Sequence, residues 1–329
     1  MQAAIFCVKN KGNDISDQLV RIYTSRKSNK YNFSLFGSLN RAILDFKPDI
    51  VHTWLPASVA IPSMVMAFMR GVPCVFSYRN AMRWRHPLQA LAYFVAVPLA
   101  ERIVSNNHIS RSNRPYRWLY AIKKGEQISN AVVVDRQFIK TRQFEGGNGP
   151  VKILFVGRIT RQKNWASLLS ALPLIKSQYD WTLTICGDGE DREQLLDAAK
   201  RAGIIGRIKL LGFRPDVYEI MRTSDVLVMP SFYEGMPNVL LEAMSVGLPC
   251  IVSDIPENRA IMGGKQCALF ANPDSHQDLA DAINKFIENP QIVREMVRMG
   301  QIIASTFSPQ VMANRYLEFY KSMLQSRHE

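Results

Sequence analysis

The pattern of hydrophobic and polar positions divides the chain into short apolar runs separated by amphipathic stretches. In the second half, helical patterns from Trp165 to Lys176 and from Glu190 to Ala202 lie between the apolar runs "VKILFV", "WTLTIC", "RIKLLG", "DVLVMP" and "PCIVS". Short apolar runs bounded by turn residues are typical of buried strands, and strands joined through helices run parallel. The pattern therefore predicts a doubly wound parallel α/β domain.

The first half has similar but fewer signals. The runs "PDIVHTW", "VPCVFSY" and "ERIVSNN" predict three further strands, so this half is also predicted to be α/β. Three glycines and a proline interrupt the pattern in "QFEGGNGP", residues 143–150. We therefore predict one domain over residues 1–147, a second over 148–310, and a C-terminal helix over 311–329. This helix can either extend the second domain or pack against the first.

The stretch "YEGMPNVLLEAMSVG", residues 233–247, carries two carboxylates in an otherwise uncharged run. Pro237 suits the first turn of a helix that stops at Gly247, which places Glu242 on the second turn and Glu234 in the preceding loop. That loop follows a predicted strand, and parallel sheets bind ligands at the carboxyl ends of their strands. On these residues alone a plainer interpretation stays open, in which Glu234 complements the helix dipole and Glu242 is solvated.

Composition narrows the class of protein. A chain of 329 residues that is 47% hydrophobic can bury two cores. Its five cysteines are scattered without CxxC spacing, which indicates small core residues in a reducing compartment and no disulfide framework or zinc site. The longest apolar stretch, residues 55–69, is shorter than the roughly 20 residues that span a bilayer, and the N-terminus lacks a signal-peptide pattern. These features predict a cytoplasmic protein.

Charge is distributed unevenly along the chain. Residues 1–150 contain 21 Lys and Arg against 8 Asp and Glu, whereas residues 151–329 contain 20 of each. Arginines mixed with aromatic residues over 78–102 and 109–124 fit an anchor at an anionic membrane surface, here the inner face, although a plain solvated surface explains them as well. RNA binding is the weaker interpretation, because no RNP, KH or helix-turn-helix signature is present, and we predict no nucleic-acid partner.

Three longer segments carry a family resemblance. "FVGRITRQKNWASLLSAL", "ICGDGEDREQL" and "IKLLGFRPDVYEIMRTSDVLVMPSFYEGMPNVLLEAMSVGLPCIVSD" resemble the family-four retaining glycosyltransferases, also known as group 1, over the whole second half. The first half is similar more loosely, through "KPDIVHTW", "GVPCVFSYRN" and "ISNAVVVDRQF". The resemblance implies a GT-B fold, in which two Rossmann-like parallel-sheet domains face a central cleft.

The start of the chain departs from that family. Residues 3–8 align with the second strand of the family's N-terminal domain, so the resemblance implies that its first strand and helix are missing. Either the polypeptide begins upstream of Met1, or residues 3–8 take the central position in a sheet with one strand fewer. The first alternative is preferred, because "KNKGNDISDQLVR" is too short for the usual loop and its long helix.

The resemblance also implies roles for individual residues. Glu242 would accept hydrogen bonds from the ribose hydroxyls of a nucleotide, and Glu234 would face the hydroxyls of the donor sugar. The donor diphosphate would be held at the helix start, by the loop residue Gly235 and by the backbone N–H groups of Met236, Asn238 and Val239. Arg158 and Lys163 in "GRITRQK" would neutralise the departing diphosphate.

Weaker candidates surround these residues. By resemblance, Gly187 of "GDGED" would border the donor and Arg214 of "GFRPD" would lie beside the base. Asp188 is interpreted as a turn or cap residue rather than a metal ligand. Arg192 stands where a dinucleotide-binding GxGxxG motif needs its third glycine, which excludes a nicotinamide dehydrogenase. Many relatives carry a histidine where this chain has Tyr78 and Arg79.

These expectations combine into one functional hypothesis. The chain is predicted to be a retaining, metal-independent glycosyltransferase without a cofactor, which moves a hexose from a nucleotide diphosphate sugar to a glycan or lipid-linked acceptor in bacterial-type surface polysaccharide synthesis. A nucleotide-sugar epimerase or hydrolase of the same fold is one alternative. An inactive nucleotide-sugar-binding subunit is the other.

Overall fold

The computed structural model describes residues 4–9, 21–26, 34–54, 57–78, 97–106, 125–133 and 149–326. These residues group into two compact units. The first lies within Met1–Ile128 together with Tyr316–Glu329, and the second lies within Ser129–Arg315.

The second unit contains a six-stranded sheet in which every described strand pair is parallel. Its strands are β7 Val151–Val156, β8 Trp181–Cys186, β9 Ile208–Gly212, β10 Val226–Met229, β11 Cys250–Ser253 and β12 Leu269–Ala271. Its helices are α3 Trp165–Ala171, α4 Arg192–Arg201, α5 Val217–Thr223, α6 Asn238–Ser245, α7 Pro256–Met262, α8 His276–Glu288 and α9 Pro290–Ser305. The last helix, α10 Pro309–Gln325, begins in this unit and continues into the first unit from Tyr316. Short 3₁₀ turns cover Arg161–Lys163, Leu172–Leu174 and Ile205–Arg207.

The direction in which successive strands are added to this sheet reverses between β7 and β10. The order is β12-β11-β10-β7-β8-β9, and Leu227 of β10 is in register with Leu154 of β7. From this pair the chain winds outward in both directions, so β7 and β10 flank a topological switch point, where loops at the carboxyl ends leave a crevice for ligands.

Both faces of this sheet are buried at the central strand β7. Ile153 and Phe155 of β7 lie in one apolar cluster, whereas Leu154, between them in sequence, lies in another with Leu240 and Leu241 of α6. Side chains alternate across a strand, so a strand buried on both sides reads as an unbroken apolar run, as "VKILFV" nearly does.

The first unit contains two parallel sheets among the described strands. Strands β3 Val51–Thr53, β4 Cys74–Tyr78, β5 Arg102–Ser105 and β6 Glu126–Gln127 form one sheet in that order, and β1 Ala4–Lys9 pairs with β2 Arg21–Arg26 in the other. Helices α1 Ser34–Phe46 and α2 Ala57–Met69 and the 3₁₀ turn Val97–Leu99 accompany them. The described strands therefore do not form the alternative arrangement in which residues 3–8 stand at the centre of one continuous sheet.

A histidine links the C-terminal segment of the first unit to its sheet. The two ring nitrogens of His52, in β3, lie 2.6 Å from the hydroxyl of Tyr320 and 2.7 Å from that of Ser77. The rings of Trp54 and Tyr316 complete an aromatic cluster, with centroids 4.9 and 5.7 Å from the His52 ring. His52 thus has a structural role in joining residues far apart in the sequence.

Candidate functional site

Two loops meet at the switch point of the second unit. One follows β7 and runs through the 3₁₀ turn Arg161–Lys163, and the other follows β10 and leads into α6. The Phe232 N–H donates to the Gln162 carbonyl at 3.0 Å, and the Gln162 side-chain amide donates to the Tyr233 carbonyl at 2.9 Å. These reciprocal bonds hold the two loops together at the carboxyl edge of the sheet.

An ion pair joins the same loops. The Lys163 Nζ donates to Glu234 Oε1 at 2.7 Å, and the two side chains are 15% and 6% exposed. Removing either charge would leave the other poorly solvated, so each depends on its partner. Lys163 and Glu234 were both predicted as site residues, and the structure places them in direct contact.

Glu257 is a third carboxylate near Glu234, and it was not among the residues predicted from the sequence. It is buried at the start of α7. Burial raises the pKa of Glu257, and repulsion from the Glu234 carboxylate adds to the rise. The backbone N–H groups of Glu257 and Glu234 oppose it. A glutamate directly after a proline in the first turn of a helix is common, because its charge complements the helix dipole. The sequence alone therefore does not distinguish Glu257 as a site residue.

Glu242 occupies a different environment. It lies on the second turn of α6, as predicted, and burial raises its pKa. In the described part of the chain its carboxylate forms no ion pair or hydrogen bond. The pKa of nearby Tyr218 is raised to about 12, first by burial and then by the negative charge of Glu242. The carboxylate is therefore partly desolvated, and no described residue uses its acceptor oxygens.

The start of α6 presents backbone donors. Pro237 lies immediately before the helix rather than in its first turn, one residue earlier than predicted. The Asn238 N–H donates to the Met236 carbonyl at 2.9 Å, so it can serve a ligand only if that bond opens. Among the described residues the N–H groups of Met236 and Val239 have no acceptor, and a helix N-terminus with such groups favours an anion.

Gly187 is required by close packing of two backbone segments. A Cβ on Gly187, whose φ is +148°, would lie 1.9 Å from the Gly157 carbonyl oxygen. The Gly187 N–H also donates to the Gly212 carbonyl at 2.7 Å. The loops after β7, β8 and β9 can come this close only because glycine occupies this position.

The remaining predicted residues lie on the same edge of the sheet but are more exposed. Arg158 is exposed and follows Gly157. Arg214 is exposed and makes a two-pronged ion pair with Asp216, which lowers the pKa of that carboxyl. Asp188 accepts a hydrogen bond from the Gly189 N–H at 2.8 Å and forms an ion pair with Arg192 at 3.8 Å. The guanidinium of Arg214 is already paired, but its flat face is not used by that bond.

Several predictions fall elsewhere. Arg79 and the side chain of Tyr78 lie outside the described residues. Within the described ranges, no group of three or more His, Cys, Asp or Glu is arranged to hold a metal ion. In the same ranges, four cysteines are free and buried, namely Cys74, Cys186, Cys250 and Cys267. No described helix is long and apolar enough to cross a membrane.

The geometry suits recognition of a polar, anionic ligand. The two loops at this switch point and the helix that follows carry a helix N-terminus, an exposed arginine, a lysine with a glutamate partner, and a second glutamate that has no ion pair or hydrogen bond to the described residues. Cations and backbone N–H groups would bind phosphate, and carboxylates would bind hydroxyls.

Comparison with known proteins finds a matching family model and several similar proteins. The model of the glycosyl transferases group 1 matches residues 137–303, just over half of the chain. The chain is 24% identical over 301 residues to the lipopolysaccharide core biosynthesis glycosyltransferase LpsD of Rhizobium meliloti (strain 1021), which covers 90% of this chain and 81% of that protein. It is 30% identical over 243 residues to the UDP-Gal:alpha-D-GlcNAc-diphosphoundecaprenol alpha-1,3-galactosyltransferase of Escherichia coli, covering 68% of this chain and 62% of that one.

Solved structures of other proteins are similar to this one over most of the chain. A glycosyltransferase from Rickettsia africae ESF-5 superposes with a TM-score of 0.76 at 15% identity, covering 93% of this chain and 85% of the other. Anabaena HepE, solved in complex with UDP and glucose, gives a TM-score of 0.72 at 20% identity, covering 92% and 86%. At these identities the likeness establishes the fold alone.

Proposed function

The chain belongs to the group 1 glycosyl transferases, a family of enzymes with the GT-B fold, and on this premise we propose that it is a retaining, metal-independent hexosyltransferase. Its donor would be a nucleotide diphosphate sugar, and its acceptor a glycan or a lipid-linked sugar. The fold and the glycosyltransferase class predicted from the sequence are confirmed. The mechanism and the substrates are the proposal.

The observation that carries the proposal is the contrast between Glu234 and Glu242 on either side of the start of α6. The N–H groups of Met236 and Val239 lie between them in sequence and are available to a diphosphate. Glu242, whose carboxylate bonds to no described residue, would take two ribose hydroxyls, and Glu234 would take a hydroxyl of the donor sugar. The relatives support this ligand class, because HepE was solved with UDP and the E. coli enzyme is named for a UDP-Gal donor.

Lys163 and Arg158 would act on the leaving group. An ammonium has three donors, so the bond from Lys163 to Glu234 leaves two for phosphate oxygens. When the bond between the anomeric carbon and the diphosphate oxygen breaks, negative charge grows on that oxygen, and both cations stabilise it. The acceptor hydroxyl bonds to the anomeric carbon on the same face, and its proton passes to the departing phosphate. Catalysis then rests on positioning and charge stabilisation rather than on a protein nucleophile.

The donor is tested by thermal unfolding across a panel of nucleotide-sugars. A donor at about 100 times its dissociation constant stabilises the fold by roughly 2.7 kcal/mol, so one base and sugar should stand out. That donor is then incubated with glycan and lipid-linked acceptors, with and without EDTA, and the product linkage is read by NMR. Transfer that keeps the donor's anomeric configuration and survives EDTA is the expected result.

The alternatives give different results in the same assay. Donor breakdown that needs no acceptor would favour a hydrolase, and interconversion of the sugar would favour an epimerase. Binding without turnover on any acceptor would favour an inactive subunit. An inverted linkage would contradict the retaining mechanism, and loss of transfer in EDTA would contradict metal independence.

We also propose peripheral association with the inner face of an anionic membrane. Its support is the excess of basic residues in residues 1–150, since such charge is attracted to anionic lipids. The arginines chosen to test it, Arg83, Arg85, Arg114 and Arg117, lie outside the described residues. Flotation of the full chain with anionic vesicles should decrease with salt and with reversal of these four charges. Equal flotation with neutral vesicles would contradict the electrostatic basis.

A further inference from the structure

A segment from the beginning of the second unit contacts the start of α6. The Asn130 N–H donates to the Met236 sulfur at 3.0 Å, and the Asn130 side-chain amide donates to Asn238 Oδ1 at 2.8 Å. Asn130 precedes these residues by more than 100 positions in the chain. One residue thus contacts two of the residues at the proposed diphosphate site.

The segment that carries Asn130 is itself fixed. Val132 is 4% exposed and belongs to the apolar cluster that contains Leu240 and Leu241 of α6. Its N–H donates to the Phe307 carbonyl, beyond the end of α9, at 2.8 Å. Asn130 is therefore held on a packed base, and its contacts restrict the side chains of Met236 and Asn238 relative to the core.

We propose that Asn130 is a positioning residue for the donor diphosphate, an inference that rests on the proposed function. The loop from Gly235 to Pro237 supplies backbone donors whose direction depends on how Met236 and Asn238 are held. Asn238 is exposed, so its side chain would sample several rotamers without the bond from Asn130. Fixing the loop before the donor arrives lowers the ordering cost of binding.

The test measures affinity for nucleoside diphosphates by calorimetry in the full chain. The tightest binder among UDP, GDP, ADP and dTDP is selected with the wild type. Asn130→Ala and Asn238→Ala should each weaken its binding about three- to tenfold, the range for loss of one hydrogen bond. The double variant should be no weaker than either single variant, because both changes remove the same bond.

Asn130→Asp adds a readout that a merely structural role would not produce. Its carboxylate can keep the contact if the Asn238 amide turns to donate, but it places a negative charge beside the diphosphate. Its affinity should fall further than that of Asn130→Ala, and the extra loss should shrink as salt rises. Gln310→Ala is the matched control, since Gln310 donates a similar 2.9 Å amide bond to Asn314 on α10, and it should bind like the wild type.

Two results would overturn the positioning role. The first is a folded Asn130→Ala variant that binds the nucleoside diphosphate as tightly as the wild type. The second is a double variant whose loss of affinity equals the sum of the two single losses. If Asn130→Ala does not fold, Asn238→Ala and Asn130→Asp still test the contact. A wild-type chain that binds none of the four nucleotides would instead refute the proposed function, and this inference with it.

Discussion

Glu234 and Glu242 differ in environment although only eight positions separate them. Glu234 is buried and paired with Lys163 at 2.7 Å, whereas Glu242 has no ion-pair partner among the described residues and has a raised pKa. One carboxylate therefore joins two loops through an ion pair, and the other is partly desolvated without an ion pair or hydrogen bond to the described residues. Two identical side chains eight positions apart thus lie in different environments, and four changes test what each environment contributes.

The largest effect is expected from Lys163→Ala. This change leaves the buried Glu234 carboxylate without its cation and should reduce the free energy of unfolding by about 3 to 5 kcal/mol. Urea unfolding measures the loss, with Lys176→Ala as the control because the ion pair of Lys176 with Glu288 is exposed. The double variant Lys163→Met with Glu234→Gln should recover most of the stability. If Lys163→Ala were as stable as the control variant, the ion pair would not hold the two loops together.

Gly187→Ala tests whether backbone packing, as well as the ion pair, holds the Lys163 loop. The new methyl group would overlap the Gly157 carbonyl, and a loss of about 3 kcal/mol in unfolding free energy is expected. Gly206→Ala is the control, because a Cβ there meets nothing within 4 Å. Equal urea midpoints for the two variants would show that the loop can move aside.

Glu242→Ala should leave the fold intact and weaken nucleotide binding by about 1.5 to 3 kcal/mol, the value of a hydrogen bond to a charged group. Calorimetry with the nucleoside diphosphate of the preferred donor measures this loss. Glu219→Ala, which removes an exposed glutamate from the neighbouring α5, is the comparison. Unchanged affinity in folded Glu242→Ala would remove Glu242 from the site and leave the contrast with Glu234 without functional meaning.

The smallest effect concerns pH. Because burial raises the pKa of Glu242, the folded chain holds this proton more tightly than the unfolded chain does. Its contribution to stability is therefore lost as pH rises from the ordinary glutamate pKa of 4.5 through the raised folded value. Glu242→Gln should remove that part of the decline in stability. The free energy of unfolding of the variant should therefore rise relative to that of the wild type as pH increases over this window. Parallel stability curves from pH 4 to pH 7 would contradict the assignment.

The sequence was sufficient for the features that depend on local pattern. The apolar runs of β7, β8, β10 and β11 and the position of Glu242 on its helix follow from neighbouring residues. The helix predicted from Trp165 to Lys176 was too long, since α3 ends at Ala171 and Pro173 lies in a 3₁₀ turn. Proline removes a backbone donor and collides with the preceding turn, which explains the early end.

Contacts between distant residues could not be predicted in this way. Lys163 and Glu234 are 71 positions apart, and Asn130 and Asn238 are 108 apart. Each pair meets because the sheet order brings strand ends and loops together, and no local periodicity encodes that meeting. The resemblance to a family supplied roles for single residues. It predicted neither the ion pair between Lys163 and Glu234 nor the position of Glu257 near Glu234.

The link between His52 and Tyr320 has a consequence for synthesis of the chain. The first unit is completed by residues from Tyr316 onward, whereas the second lies in one uninterrupted stretch that ends at Arg315. On the ribosome, every strand and helix of the second unit before α10 is translated before the aromatic cluster around His52 can close. Although domains generally fold in order from the N-terminus, here the unit that is translated first must be completed last.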